Sequence, residues 1–263
     1  MLRITDISKT FFRHTANERV ALNGVDLHLP EGDFTTVIGS NGAGKSTLLN
    51  VVAGYMRPDT GRVEIDGRLV NRLSDHQRAK YIGRVFQDPM AGTAPNLTIE
   101  QNLSIAHRRG QRRGLARGVS APKRAFFQSQ LETLELGLES RLKTKVGLLS
   151  GGQRQALSLL MATFTQPGIL LLDEHTAALD PQRAALVTRL TREIVASHRL
   201  TTLMVTHNME QALEVGNRLI MMHEGKIILD VAAHQKQSMT VADLLAEFER
   251  IKGASLEDRT LLS

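Results

Sequence analysis

The amino-acid sequence predicts an α/β protein with a mostly parallel β-sheet, and three segments carry that expectation. An apolar run, Phe34 to Ile38, passes through a glycine-rich loop into a stretch of helical spacing, Lys45 to Ala53. A continuous apolar run, Ile169 to Leu172, has the composition of a strand buried on both faces of a sheet. A further run, Leu200 to Val205, follows a helix that Asp180 caps and Pro181 opens, at a first-turn position where the missing N–H costs nothing. Strand, helix and strand in that order return the chain to a parallel sheet with helices on both faces.

Upstream, Val20, Leu22, Val25, Leu27 and Leu29 alternate loosely as in a strand, and Pro30-Glu31-Gly32 marks the turn before Phe34. The helix from Lys45 is expected to stop at Gly54, where a left-handed residue costs least. Ile82 to Phe86 reads as a strand, and the prolines and glycine of QDPMAGTAPN as a loop. Thr98 with Gln101 forms a capping box that opens a helix through Leu103 and Ala106. Arg108, Arg109, Arg112, Arg113, Arg117, Lys123 and Arg124, interrupted by Gly110, Gly114, Gly118 and Pro122, predict a basic loop. Lys123 to Gly137 resumes helical spacing, so a helical insert spans about 88–150. Arg218 to Met222 and Lys226 to Leu229 flank Glu224-Gly225 as a hairpin, and Thr240 with Asp243 caps an amphipathic helix through Leu244, Leu245 and Phe248.

With 263 residues, 41% hydrophobic and 23% charged, the chain suits one globular unit with a smaller satellite lobe. Its apolar runs fall short of the roughly 18–20 residues of a spanning helix, and its first residues lack a secretory pattern. The absence of cysteine excludes a disulfide framework and a thiolate metal site. A net charge of +6 is compatible with a nucleic-acid or anionic-membrane partner, or with a surplus spread over the surface.

Chemistry enters with Gly39-Ser40-Asn41-Gly42-Ala43-Gly44-Lys45-Ser46, which matches G-x-x-x-x-G-K-[ST] between a strand and a helix. The glycines turn backbone N–H groups inward around phosphates, and the helix N-terminus adds its positive end. In that frame Lys45 pairs with the β and γ phosphates, Ser46 offers its hydroxyl to Mg²⁺, and Thr47 reaches the α phosphate. Asp173, ending an apolar strand, suits the carboxylate that holds the Mg²⁺ water shell. Glu174 beside it suits the group that orients and deprotonates an attacking water. These motifs describe a P-loop nucleotidase using ATP and Mg²⁺. Leu149-Ser150-Gly151-Gly152-Gln153-Arg154-Gln155 opens another helix and offers a second phosphate-binding start, through Ser150 and the N–H groups after it. Two such sites far apart on one chain suit a head-to-tail dimer that closes around ATP.

From residue 2 to about 230 the chain resembles the ABC ATPase family. The resemblance implies a P-loop NTPase core over about 1–87 and 151–230 with an N-terminal antiparallel β subdomain, a helical subdomain over about 88–150 carrying the signature at its end, and a helical tail over about 231–263. It implies that Gln87 senses Mg²⁺ and the γ phosphate, that Asp180 crosses the dimer interface, that His207 contacts the γ phosphate, and that Phe11, with Phe12 close behind, stacks on adenine. Most family members have proline after the catalytic glutamate, whereas this chain has His175. The segments Glu174 to Asp180, Leu203 to Met209 and Met221 to Gly225 are similar to those of ATPases from amino-acid-type bacterial importers. The partners so implied are a second copy, integral membrane permease subunits and an extracytoplasmic substrate-binding protein, with the ATPase peripheral on the cytoplasmic face of the inner membrane. The rival expectation, a soluble ABC ATPase acting on nucleic acid or ribosomes, fits poorly with a single phosphate loop and no long coiled coil, so no nucleic-acid partner is expected.

Overall fold

The computed structural model describes residues 1–111 and 118–250. Arg112, Arg113 and Arg117 of the basic tract, and residues 251–263 of the tail, lie outside the described residues.

Two sheets organise the chain. The first is antiparallel, built from β1 (Leu2–Phe11), β2 (Arg19–Leu29), β4 (Thr60–Ile65) and β5 (Arg68–Leu69) in the order β2-β1-β4-β5. The second contains β3 (Phe34–Gly39), β6 (Ile82–Val85), β7 (Ile169–Asp173), β8 (Thr202–Val205), β9 (Arg218–His223) and β10 (Lys226–Val231), in the order β10-β9-β3-β8-β7-β6. Its strands run parallel except β10, which returns antiparallel on β9 as the hairpin reading required. Along β7, Leu170 and Leu172 join the core on the helical side while Ile169 and Leu171 join the core shared with the antiparallel sheet. Burial on both faces is why that strand carries no polar alternation.

Helix α1 (Lys45–Ala53) ends at Gly54, which adopts φ 86°. Helix α3 (Ile99–His107) opens on the Thr98–Gln101 capping box, and α5 (Gly151–Thr163) on the same device from Ser150 and Gln153. Helix α6 (Pro181–His198) opens on Asp180. Helix α4 (Ala121–Glu132) is shorter than its apolar spacing suggested. The chain leaves it near Thr133, Glu135 takes a left-handed φ of 55°, and Leu134 and Leu138 reach the core from non-helical backbone. The helical spacing of those leucines came from their shared burial.

The short elements α2 (Asp75–Arg78), α7 (Met209–Glu214) and α8 (Ala233–Lys236), with β4 and β5, were not anticipated. The three helices and β5 are too brief to show a period, and β4 buries alternate residues only at its end, Val63 and Ile65. The expected terminal helix spans 241–250, with Leu244 buried and Leu245 exposed. The basic tract also differs from a plain loop where it is described. Arg109 donates to the carbonyls of Met161 (2.9 Å) and Ala162 (3.2 Å) near the end of α5, and burial lowers its pKa. Arg124 lies within α4 and pairs with Glu100 at 2.7 Å.

Candidate functional site

The parallel strands place their chemistry at their carboxyl ends. Strand β3 runs into Gly39, whose φ of 148° sets it so close to β9 that a Cβ would overlap the Met222 carbonyl oxygen. Gly42 and Gly44 take φ of 81° and 102°, a region costly for residues with side chains. Ala43 N–H donates to Ser40 O (3.1 Å), and Ala43 O accepts from Gly225 N–H (3.1 Å), so the β9–β10 turn braces the loop. The loop encloses its own lysine: Lys45 Nζ donates to the carbonyls of Gly39 (2.6 Å) and Ser40 (3.0 Å). Burial lowers the Lys45 pKa, an effect the Glu174 carboxylate partly offsets.

A cavity of about 280 Å³ follows this loop from Asn41 to Thr47 and is also lined by Phe11, Arg19 and Glu174. Cross-strand pairing puts Phe11 opposite Arg19, whose guanidinium donates to Gly42 O at 3.1 Å. Phe11 thus edges the cradle, whereas Phe12 is 69% exposed and does not line it. Ser46 is exposed on the first turn of α1, with Thr47 half-buried beside it.

Strand register brings two further ionisable side chains together. Asp173 on β7 pairs with Val205 on β8, so the residues just past the two strands lie side by side. Glu174 donates its N–H to Val205 O (3.0 Å), takes a left-handed φ of 44°, and brings its carboxylate to 3.4 Å from His207 Nδ1. Asp173 accepts from Arg84 Nη2 at 2.9 Å. The Arg84 guanidinium sits over the Phe86 and Tyr55 rings, 4.7 and 5.1 Å from their centroids. Gln87 lies exposed just past β6, and Gln155 of α5 donates to Phe86 O (3.0 Å), tying that turn to the signature helix. Ser46 carries a hydroxyl, Gln87 an amide oxygen and Asp173, already bonded by Arg84, a carboxylate, and by chemistry each is a hard oxygen donor of the kind Mg²⁺ accepts alongside phosphate and water.

At the start of α5, Ser150 Oγ accepts from Gln153 N–H (3.3 Å) while the Gln153 side chain accepts from Ser150 N–H (3.1 Å). The hydroxyl proton of Ser150 is left to donate elsewhere. Gly151 packs against Leu179 and Gly152 against Arg183, so close that a Cβ would lie 3.3 and 3.2 Å from those side chains. Asp180 holds Arg183 through its backbone N–H (3.1 Å) and its guanidinium (3.2 Å). Ser150 to Gln153 and Asp180 therefore form one surface, and none of them lines the cradle around Lys45.

His175 is not part of the site. It is 1% exposed, and its Nε2 lies 3.0 Å from Thr191 Oγ1 on α6. That hydroxyl already donates to Val187 O, so Nε2 carries the proton, and burial pulls the pKa to about 4. A neutral core histidine fills the position. Arg84, Arg19 and Gln211, which reach the site or its loops, were not singled out from sequence. Arg84 had one readable signal, a charge inside an apolar strand; Arg19 and Gln211 had none.

The chain matches the family model described as "ABC transporter" over residues 22–177. It is 42% identical to the tyrosine transport ATP-binding protein of Clostridioides difficile, over 95% of this chain and 99% of the relative. It is 31% identical to a methionine import ATP-binding protein of Streptococcus agalactiae, over 91% of this chain and 68% of the relative. Among solved structures, a dimeric ATP-binding cassette in a post-hydrolysis state with ADP and Pi is similar at TM-score 0.76 and 29% identity, over 89% of this chain and 99% of that one. With a family model over more than half of its length and a 42% identical relative covered almost end to end, the chain belongs to the ABC transporter family as an ATP-hydrolysing, ATP-binding cassette.

Proposed function

We propose that two copies of this chain form the ATP-driven motor of a membrane importer for amino-acid-like solutes. The observation that carries the reading is the split site: the cradle around Lys45 lacks Ser150 to Gln153, so a second copy must present them. ATP lies with its adenine on Phe11 and its phosphates on the N–H groups of Gly39 to Thr47, with Lys45 against the β and γ phosphates. Ser46, Gln87 and Asp173 would hold magnesium, which would supply charge neutralisation on the phosphates. Glu174 takes the proton of the attacking water, and His207, 3.4 Å away, contacts the γ phosphate. The partner copy's signature helix and Asp180 close the site, and loss of γ-phosphate contacts after hydrolysis reopens it.

The same reading gives residues 88–150 the role of an arm that passes this motion to the permease. A cavity of about 1330 Å³ between Lys80–Tyr81 and Ile105–Arg109 suits the permease, because it exposes apolar Ile105 (59%) beside cationic side chains. No helix among the described residues is long and apolar enough to cross a membrane. On this reading the chain attaches at the cytoplasmic face through the permease. The full-length similarity to a tyrosine transport ATP-binding protein supports an amino-acid-like solute. On the same reading an extracytoplasmic binding protein delivers that solute. The test is to purify the chain with its membrane partner, reconstitute both in liposomes and measure uptake of labelled tyrosine and related amino acids with ATP inside and outside. ATP-dependent uptake is expected. ATPase activity stimulated by nucleic acid, without any membrane partner or uptake, would refute the proposal.

A further inference from the structure

Two loops supply the hydrolytic pair, one after β7 with Glu174 and one after β8 with His207, and one side chain on α7 bonds to both. Gln211 Oε1 accepts from Thr206 Oγ1 (2.8 Å), the residue before His207. Its Nε2 donates to Thr176 Oγ1 (3.0 Å), two residues past Glu174, and to Thr188 Oγ1 (3.0 Å) on α6. Both amide protons and a carbonyl lone pair are thereby used. Thr206 Oγ1 also accepts from Asn208 N–H (3.1 Å), and Asn208 Oδ1 caps α7 by accepting from Gln211 N–H (2.9 Å), so the His207 loop is bracketed on both sides.

Thr176, Thr188 and Thr206 are 9%, 9% and 4% exposed, and hydroxyls at such depth need partners. The arrangement also bears on Glu174, whose left-handed backbone is unfavourable for a residue with a Cβ and persists only where its surroundings over-determine it. Glu174 N–H on Val205 O fixes one side of that residue. Thr176 on Gln211 fixes the other. We infer that Gln211 is a positioning residue that locks the Glu174 loop to the His207 loop, holding the carboxylate and imidazole in the relation hydrolysis needs. The inference rests on Glu174 and His207 being the hydrolytic pair.

The test compares Gln211→Ala, Gln211→Glu and Glu174→Gln in the full chain with its partner, following kcat, KM for ATP, ATP binding and melting temperature. Gln211→Ala should lower kcat roughly 10- to 100-fold, the scale of a misplaced catalytic group. KM and ATP binding should stay within about twofold, because the residue touches nothing in the Lys45 cradle. Gln211→Glu should recover most of the turnover, since a carboxylate can accept from all three hydroxyls once they rotate. Unchanged kcat in Gln211→Ala would overturn the inference. So would a joint loss of kcat, ATP binding and melting temperature with no recovery in Gln211→Glu, which is the behaviour of a packing residue. Full turnover in Glu174→Gln would instead refute the hydrolytic pair itself; an inactive Glu174→Gln beside a fully active Gln211→Ala would sink the positioning role alone.

Discussion

Replacing Glu174 by Gln separates ATP binding from hydrolysis with minimal change of shape. Folding should barely notice it. The backbone N–H to Val205 O bond survives, and what is lost is a carboxylate paired at 3.4 Å with a histidine that is 59% exposed, an interaction worth at most about 1 kcal/mol. Catalysis should notice strongly, because an amide cannot take the proton of the attacking water. General-base removal costs roughly 10²- to 10⁴-fold, or about 3–5 kcal/mol in the barrier at ~1.36 kcal/mol per decade. ATP should still bind, since Gly39 to Thr47, Phe11 and Lys45 are untouched. Phosphate release, ATP binding and size-exclusion chromatography with ATP would be measured together. The expected result is loss of turnover with retained binding and an accumulated dimer. Turnover above about a tenth of the parent with normal ATP binding would refute the assignment of Glu174.

Gly39→Ala should weaken ATP binding more than about tenfold and destabilise the fold by over ~1 kcal/mol, because its Cβ meets the Met222 carbonyl at φ 148°; ATP titration and chemical denaturation check both. Arg109→Ala should cost about 2 kcal/mol in urea denaturation, by stripping charge-assisted donors from Met161 O and Ala162 O. Lys236 is buried, donates to the carbonyls of Val215 and Gly216, and has its pKa lowered from 10.5 to about 8 by desolvation. Its folded pKa lies below its unfolded one, so unfolding takes up a proton between about pH 8 and 10.5, and stability gains from this group as pH rises through that window. Lys236→Met should abolish that contribution to the slope of unfolding free energy against pH; an identical slope in the variant would contradict it.

Much of the architecture was legible because its signals are local. Gly39 to Ser46, the helix ending at Gly54, the capping box at Thr98, the helix start at Ser150 and the Asp180-Pro181 start each lie within a few residues of the element they define. Short pieces such as β5 and α7 stayed invisible for the same reason, having no period to read. The spacing of Leu134 and Leu138 misled, because burial can be periodic without a helix.

The phosphate loop was therefore recognisable in the sequence alone, as were the carboxylates after the buried strand and the signature before it, since glycine conformation, strand burial and helix capping are written in neighbouring residues. The sequence left open how those pieces meet. The β7–β8 register sets Glu174 beside His207, the sheet order brings Arg84 on β6 to Asp173, and the fold carries Gln211 to both Thr176 and Thr206. It also buried His175 against Thr191 and left the Lys45 cradle without Ser150 to Gln153. Hydrogen bonds and ion pairs between residues distant along the chain depend on strand pairing and helix packing, and tertiary structure alone decides those.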